Sequence, residues 1–472
     1  MKISVKQLLL LNNLVYLEPE EGPFPDFQIF AGKKVRDWMN AIDLSQITDD
    51  EIPRMTTARE WKNLIKAAKR DYTVMEMRIL SVDTDMRVDG GAGKSIVFIS
   101  PENAEAIILF KGTELVAGSA QWKDNFLSGN TTDTPHQLHA LEWYRRMYKK
   151  YHLSQYEVTV TGHSKGGNKA KYITILDDTV DHCVSFNGEG FSDLFFNKYG
   201  VEIVRNAGKI ENHMVDYDYI SPLLNDIGKA AYYHGHNFGV GGFTENHLAN
   251  TFMHFGENGN FTMDVNEEGK PAEMLALDEF ANSYLRSMED DEKSKALDML
   301  NDLLNAVLSV DRSTDRNEIV DIFAELAQNP NHFRHMSYML AYLIRYEQEY
   351  PFVVDLLNNL LTRFGMEGFV QYVEMVRSIL GWKKRILWLT IDFDKMASTI
   401  SKINAHAPKW VYKSFSENLE KRGLSLSTGQ IGLLADMVEM IDGFRRSLSI
   451  YEDGIDKGVH ESTKEYFYEQ ID

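Results

Sequence analysis

Cys183 is the only cysteine in 472 residues. An intrachain disulfide is therefore excluded, and so is a metal cluster held by thiolates. Basic side chains are also scarce, with 50 Lys and Arg against 70 Asp and Glu and a net charge of −20. Nucleic-acid binders carry the opposite balance, and anionic lipid surfaces would repel this chain wherever it lacks a local basic patch. Long apolar runs are missing too. A membrane span needs about 20 apolar residues, whereas the best stretch, Ile386 to Ile391, is hemmed in by Lys383-Lys-Arg385 and Asp392. The N-terminal leucines resemble a signal peptide, but Asn12-Asn13 break the run and no small-x-small site precedes Glu18. A buried helix capped by Ser4 is the better account, and the expected location is cytoplasmic. There is no H-E-x-x-H and no G-x-x-x-x-G-K-[ST], since Gly90-Gly-Ala-Gly-Lys-Ser95 has the wrong spacing. The acidic clusters Asp49-Asp-Glu51 and Glu289-Asp-Asp-Glu292 fall in surface or helix-start contexts. No metal and no cofactor are expected.

With 43% hydrophobic residues the composition is that of a globular protein, and the length exceeds one ordinary core. Periodicity divides the chain. Residues 8–15 and 57–72 carry helical patterns. From Met75 the period changes to two: strands are expected over 77–82, 95–100 and 104–111, the last with the continuously apolar run Ala106-Ile-Ile-Leu-Phe110 of a strand buried on both faces. A helix over 136–151, a strand from Glu157, a helix over 169–176, a strand over 182–186 and a further strand over 209–217 follow. Strand and helix in alternation call for a parallel sheet with crossovers, whose sites lie at the carboxyl ends of the strands. Residues 232–243 are rich in Gly, His and aromatics without a clear period. Beyond Glu273 helical patterns run to the end. The expected organisation is an α/β domain over 1–274 and an all-α domain over 275–472, the latter a candidate surface for a protein partner.

The strand Glu157-Val-Thr-Val-Thr161 leads into Gly162-His163-Ser164-Lys165-Gly166, which fits G-x-S-x-G. A strand-to-helix turn this sharp strains its middle residue, and small residues two before and two after it prevent a clash. Ser164 is thereby the candidate nucleophile, beside a helix N-terminus that favours negative charge. A serine needs a base, and the base needs an orienting acid. With this elbow the acid and then the base follow in sequence. Asp218 ranks first for the acid, with Asp216 and then Asp193 behind it. His247, 29 residues after Asp218, ranks first for the base, ahead of His236, His234 and His254; His213 lies in or beside a strand and reads as a packed or solvent histidine. For the oxyanion, the Lys165 backbone N–H and Thr113, at the end of Lys111-Gly112-Thr113, are the candidate donors. Trp122 and Asp124 are expected to anchor the loop after Thr113.

With Phe110-Lys-Gly-Thr113, Trp122-Lys-Asp124, Gly162-His-Ser-Lys-Gly-Gly167 and Asp218-Tyr-Ile in this order, the chain resembles class three (fungal-type) lipases of the α/β-hydrolase superfamily, and most closely the Mbeg-like proteins. The resemblance covers about residues 1–270. It implies an ester substrate, lipid or small molecule, with Ser164 as nucleophile, Asp218 as acid, His247 as base, and Thr113 and Lys165 as oxyanion donors. Lys165 stands where those lipases usually carry leucine, and Lys111 where they usually carry arginine. A cation beside the nucleophile would favour acidic or polar substrates. The competing reading is a non-catalytic hydrolase-type module that supports a helical interaction domain.

Overall fold

The computed structural model describes residues 2–309 apart from 20–22, 48–56, 85–92, 113–119, 219, 222, 237–244 and 258, together with residues 329, 332, 335 and 339. Four short helices come first: α1 (Val5–Leu14), α2 (Val35–Ala41), α3 (Ala58–Arg70) and α4 (Tyr72–Glu76). Ser4 caps α1 in a reciprocal capping box with Gln7, and Thr57 does the same for α3 with Glu60. The leucines that resemble a signal peptide are thus core: Leu8 to Leu11 and Leu14 are all buried.

Strands β1 (Arg78–Asp83), β2 (Ser95–Ser100) and β3 (Glu105–Phe110) form an antiparallel run, with every residue of β2 and β3 buried. After β3 come α5 (Ala120–Leu127) and α6 (Pro135–Lys150), the latter capped by Thr134 with Pro135 in its first turn. Next are β4 (Glu157–His163), α7 (Lys165–Leu176), β5 (His182–Phe186), α8 (Asp193–Asn206), β6 (Ile210–Val215) and β7 (Lys229–His234). Two-residue strands β8 (His254–Phe255) and β9 (Phe261–Thr262) pair with each other, and β10 (Asp264–Asn266) closes the far edge of the main sheet. The eight-stranded order is β1-β2-β3-β4-β5-β6-β7-β10, parallel from β3 through β7 and antiparallel at both ends. The expected strands are present, but the segment without a clear period begins on β7, a strand the sequence reading leaves out. Helix α7 starts at Lys165, four residues earlier than expected.

Two apolar layers cover the sheet. One joins α1, α2 and α3 to Ile96, Phe98, Ile107 and Leu109, and the other joins α6, α7 and α8 to Val97, Ile108, Phe110 and Val160. Alternate residues of β2 and β3 therefore serve opposite layers, which explains their unbroken apolar sequences. The carboxyl ends of β3, β4, β6 and β7 open at the same edge.

Two more helices, α9 (Ala272–Arg286) and α10 (Asp290–Ser309), lie past residue 271. Contacts divide the chain into a unit of Met1–Arg286, Asp290–Thr314 and Tyr466–Asp472 and a unit of Ser287–Glu289 and Asp315–Glu465. Within the first unit α10 packs on α5, and Arg286 of α9 pairs with Asp193 at 3.0 Å. The remaining helices expected over 310–472 fall almost wholly outside the described residues. Among the described residues no helix is long and apolar enough to cross a membrane.

Candidate active site

Ser164 is the pivot between β4 and α7, with φ 57° and ψ −127°. That region is sparsely populated for any residue with a Cβ, and occupying it costs about 1–3 kcal/mol. The flanking glycines make the turn sterically feasible. A Cβ on Gly162 would lie 2.1 Å from the Gly166 carbonyl carbon, and one on Gly166 would lie 2.0 Å from the Phe110 carbonyl oxygen. The register explains this crowding: Gly162 pairs with Phe110 across β4 and β3, so α7 starts directly against the sheet.

Asp218, three residues past the end of β6, and His247, in a short helical turn outside the sheet, reach the same spot. His247 Nε2 lies 2.7 Å from Ser164 Oγ, and its Nδ1 lies 2.8 Å from Asp218 Oδ1. All three side chains are buried. Asp218 follows the end of β6, and its carboxylate also accepts the backbone N–H of Ile220 at 3.0 Å and Ser221 at 3.2 Å. With Nδ1–H facing the carboxylate, Nε2 carries the lone pair and Ser164 donates to it. The residues ranked behind these two have other partners. Asp216 accepts from His234 at 2.6 Å, and His236 is paired with Glu60 at 2.8 Å. His213 is packed in β6 against the Tyr233 hydroxyl at 2.8 Å. His254 Nε2 donates to the His234 carbonyl at 2.7 Å, and Asp193 lies in the first turn of α8 and pairs with Arg286.

At the oxyanion side, the Lys165 N–H is the first of α7 and has no carbonyl in its own helix to bond. Thr113 and the Trp122 side chain lie outside the described residues. Gly112 is described, and its N–H donates to the Tyr16 hydroxyl at 3.2 Å.

Tyr16 and His163 are the residues that sequence reasoning misses. The Tyr16 hydroxyl lies 2.8 Å from His163 Nδ1, and His163 Nε2 lies 2.7 Å from the His247 backbone carbonyl. Burial, and then the neighbouring His247, push the His163 imidazole down to about 3, so it stays neutral. Its proton must sit on Nε2, donated to that carbonyl, and Nδ1 accepts from Tyr16. Position alone was the available signal: His163 is the variable residue before the nucleophile in the elbow motif. Nothing local singles out Tyr16, 147 residues away.

The Lys165 ammonium does not face the substrate side as expected. It is enclosed by Asp124 Oδ2 at 2.9 Å, Glu189 Oε2 at 3.2 Å and Ser128 Oγ at 2.6 Å. Desolvation opposes the charge on Lys165, but the two carboxylates outweigh it and raise its pKa. Asp124 also caps the start of α6, accepting from Thr134 Oγ1 at 2.8 Å and the His136 N–H at 3.2 Å. It therefore ties α5 and α6 to the elbow. Lys111 and Lys94 share Glu18, which braces the end of β3 against the segment after α1. Among the described residues no group of three or more His, Cys, Asp or Glu could hold a metal ion.

A mostly parallel, helix-flanked sheet with a strained serine at the end of β4 and an aspartate just past β6 is an α/β-hydrolase-type fold. Residues 94–301, a little under half of the chain, match the family described as Mbeg1-like. No curated protein matches the chain in sequence. Among solved structures, lipase II from Rhizopus niveus is 15% identical over 33% of this chain and 66% of its own, just under two thirds, with a TM-score of 0.26. The Lip2 lipase from Yarrowia lipolytica is 11% identical over 56% and 83%, with a TM-score of 0.31. The Rhizomucor miehei lipase propeptide complex is 13% identical over 41% and 72%, with a TM-score of 0.26.

Proposed function

We propose that the chain is a serine hydrolase that cleaves a carboxylic ester through an acyl-enzyme on Ser164. The observation that carries the reading is the unbroken chain from Ser164 Oγ through His247 to Asp218, with bonds of 2.7 and 2.8 Å. Hydrogen bonds of this length put the base within direct proton-transfer reach of the nucleophile.

In the proposed reaction Ser164 Oγ attacks the ester carbonyl as His247 Nε2 takes its proton. Asp218 holds Nδ1–H and stabilises the imidazolium. The oxyanion forms beside the N-terminus of α7, where the Lys165 N–H and the Thr113 backbone N–H would donate to it. His247 then protonates the leaving alkoxide. A water molecule, deprotonated by the same histidine, releases the acid and restores Ser164. Since the Lys165 charge is neutralised inside the fold, an acyl ester without an anionic group is the preferred substrate class, in either lipid or small-molecule form.

Hydrolysis of a p-nitrophenyl ester series tests this. The full chain is expected to show a burst of p-nitrophenol followed by turnover, and Ser164→Ala should lose at least about 10³-fold in kcat. Equal rates in both proteins would overturn the reading. No turnover of any ester by either would favour the non-catalytic module instead.

A further inference from the structure

Residues 246–251, which include His247, belong to no sheet, and their carbonyls are held by side chains from separate elements. Asn187 Nδ2 reaches the Asn246 carbonyl at 3.5 Å, and His163 Nε2 reaches that of His247 at 2.7 Å. Asn13 Nδ2, from α1, donates to Ala249 O at 3.1 Å. The fourth tether is His236, two residues past β7. Its ring Nδ1 lies 3.0 Å from Thr251 O, and its own N–H donates to the same carbonyl at 3.1 Å.

The other ring nitrogen of His236 also faces an acceptor, since Nε2 lies 2.8 Å from Glu60 Oε1 in the first turn of α3. A neutral imidazole has one N–H and could serve only one of these acceptors; an imidazolium serves both. The Asn250 Nδ2 donates to the same Glu60 oxygen at 3.1 Å, so Glu60 grips the segment twice. The pair is mostly enclosed, with 10% of the His236 side chain and 18% of the Glu60 side chain exposed.

We propose that His236 and Glu60 are positioning residues for the hydrolysis proposed above: as an imidazolium, His236 fastens the segment bearing His247 to α3. The proposal rests on that reading of Ser164. Burial alone would lower the His236 pKa, but the Glu60 hydrogen bond and charge, with the Thr251 carbonyl, outweigh it and raise the pKa. Burial alone would raise that of Glu60, but the hydrogen bonds from His236 and Thr57 outweigh it and lower the pKa. Among the described residues, His236 is faced by Glu60 from α3, the Thr251 carbonyl and the His254 ring, with ring centroids 6.0 Å apart. His234, the last residue of β7, is engaged by Asp216. His163, the other imidazole among the four tethers, is held neutral and cannot respond in the same range.

The sign follows. A histidine whose folded pKa is raised contributes fully below its ordinary value and loses that contribution as pH rises through the raised one. Glu60 contributes above its ordinary range and fails only in acid. The latch therefore releases on the alkaline side, whereas a general base sets an acid limb.

The test is the pH profile of kcat/KM for p-nitrophenyl acetate with the full chain, Glu60→Gln and His236→Gln, alongside NMR titration of the His236 ring in histidine-labelled Ser164→Ala protein. A glutamine in the third helical position still completes the capping box of α3, so Glu60→Gln retains its helix. The expected result is an alkaline limb in the wild type, carried by kcat rather than KM. The limb should move down toward the ordinary histidine value of 6.5 in Glu60→Gln. It should vanish in His236→Gln, leaving a profile about tenfold lower that keeps only its acid limb, since small displacements of a catalytic group cost up to ~10²-fold. An alkaline limb at the same pH in all three proteins would overturn the proposal. So would a His236 ring that titrates identically with and without the Glu60 carboxylate. If no protein turns over ester at any pH, the hydrolase reading fails by itself, and the ring titration alone decides whether the latch exists.

Discussion

His163 donates its Nε2 proton to the backbone carbonyl of His247 at 2.7 Å, so the residue just before Ser164 holds the residue just behind its hydroxyl. The Tyr16 hydroxyl completes the arrangement, donating to His163 Nδ1 and accepting from the Gly112 N–H. One phenol thus fixes both the ring that steers the base and the loop that leads to Thr113.

Tyr16→Phe removes that hydroxyl while keeping the ring, whose packing lies against the α1 layer. We expect kcat to fall about tenfold with KM changed far less, because the loss is one of geometry rather than of substrate contact. His163→Ala should cost more, about 10²-fold, since the His247 carbonyl then loses its donor. Steady-state kinetics on both variants, with melting curves to verify folding, check this. Unchanged kcat in both would remove Tyr16 and His163 from the account.

Lys165→Met leaves Asp124 and Glu189 buried without their shared cation. Breaking a buried pair in this way costs about 3–5 kcal/mol. Adding Glu189→Gln should restore part of that loss, because burial already raises the Glu189 pKa and favours its neutral form. Urea unfolding midpoints of the single and double variants are the measurement. A single variant as stable as the wild type would show that the cluster is not coupled as its geometry indicates.

Gly166→Ala should yield no folded protein, because the new methyl would meet backbone atoms that cannot yield. Gly208→Ala, where a Cβ meets nothing within 4 Å, should leave stability within about 0.5 kcal/mol of the wild type. Comparing soluble yield and circular dichroism of the two separates steric need from a general intolerance of substitution.

Cys183 lies in β5, where burial pushes its thiol up to about 12. Native protein at mildly alkaline pH is therefore expected to resist iodoacetamide, with alkylation appearing only as the chain unfolds. Labelling followed by mass spectrometry against urea concentration should track the global transition. Rapid labelling without urea would place this strand outside the stable core.

Much of this was legible in the sequence because it is local. The elbow is five adjacent residues with a steric rule, and the buried β3 announces itself in five consecutive apolar side chains. Strand β7 was obscured because its Lys229-Ala-Ala-Tyr-Tyr-His234 pattern is only half buried at an outer position of the parallel run. Helix α5 and the partners of Lys165 were hidden because the fold, and not any spacing, brings Asp124 and Glu189 to one ammonium. The sequence ranks His247 above His236, but the reason His236 is otherwise engaged, the Glu60 carboxylate 176 residues earlier, is not visible in any local spacing.

Reaction with a fluorophosphonate probe, followed by peptide mapping of the adduct, tests the central claim most directly. A single phosphonyl group on Ser164 is predicted, formed readily by the wild type, abolished in Ser164→Ala and slowed at least about 10²-fold in His247→Ala. An unmodified Ser164 in the folded chain, or equal labelling with and without His247, would contradict it.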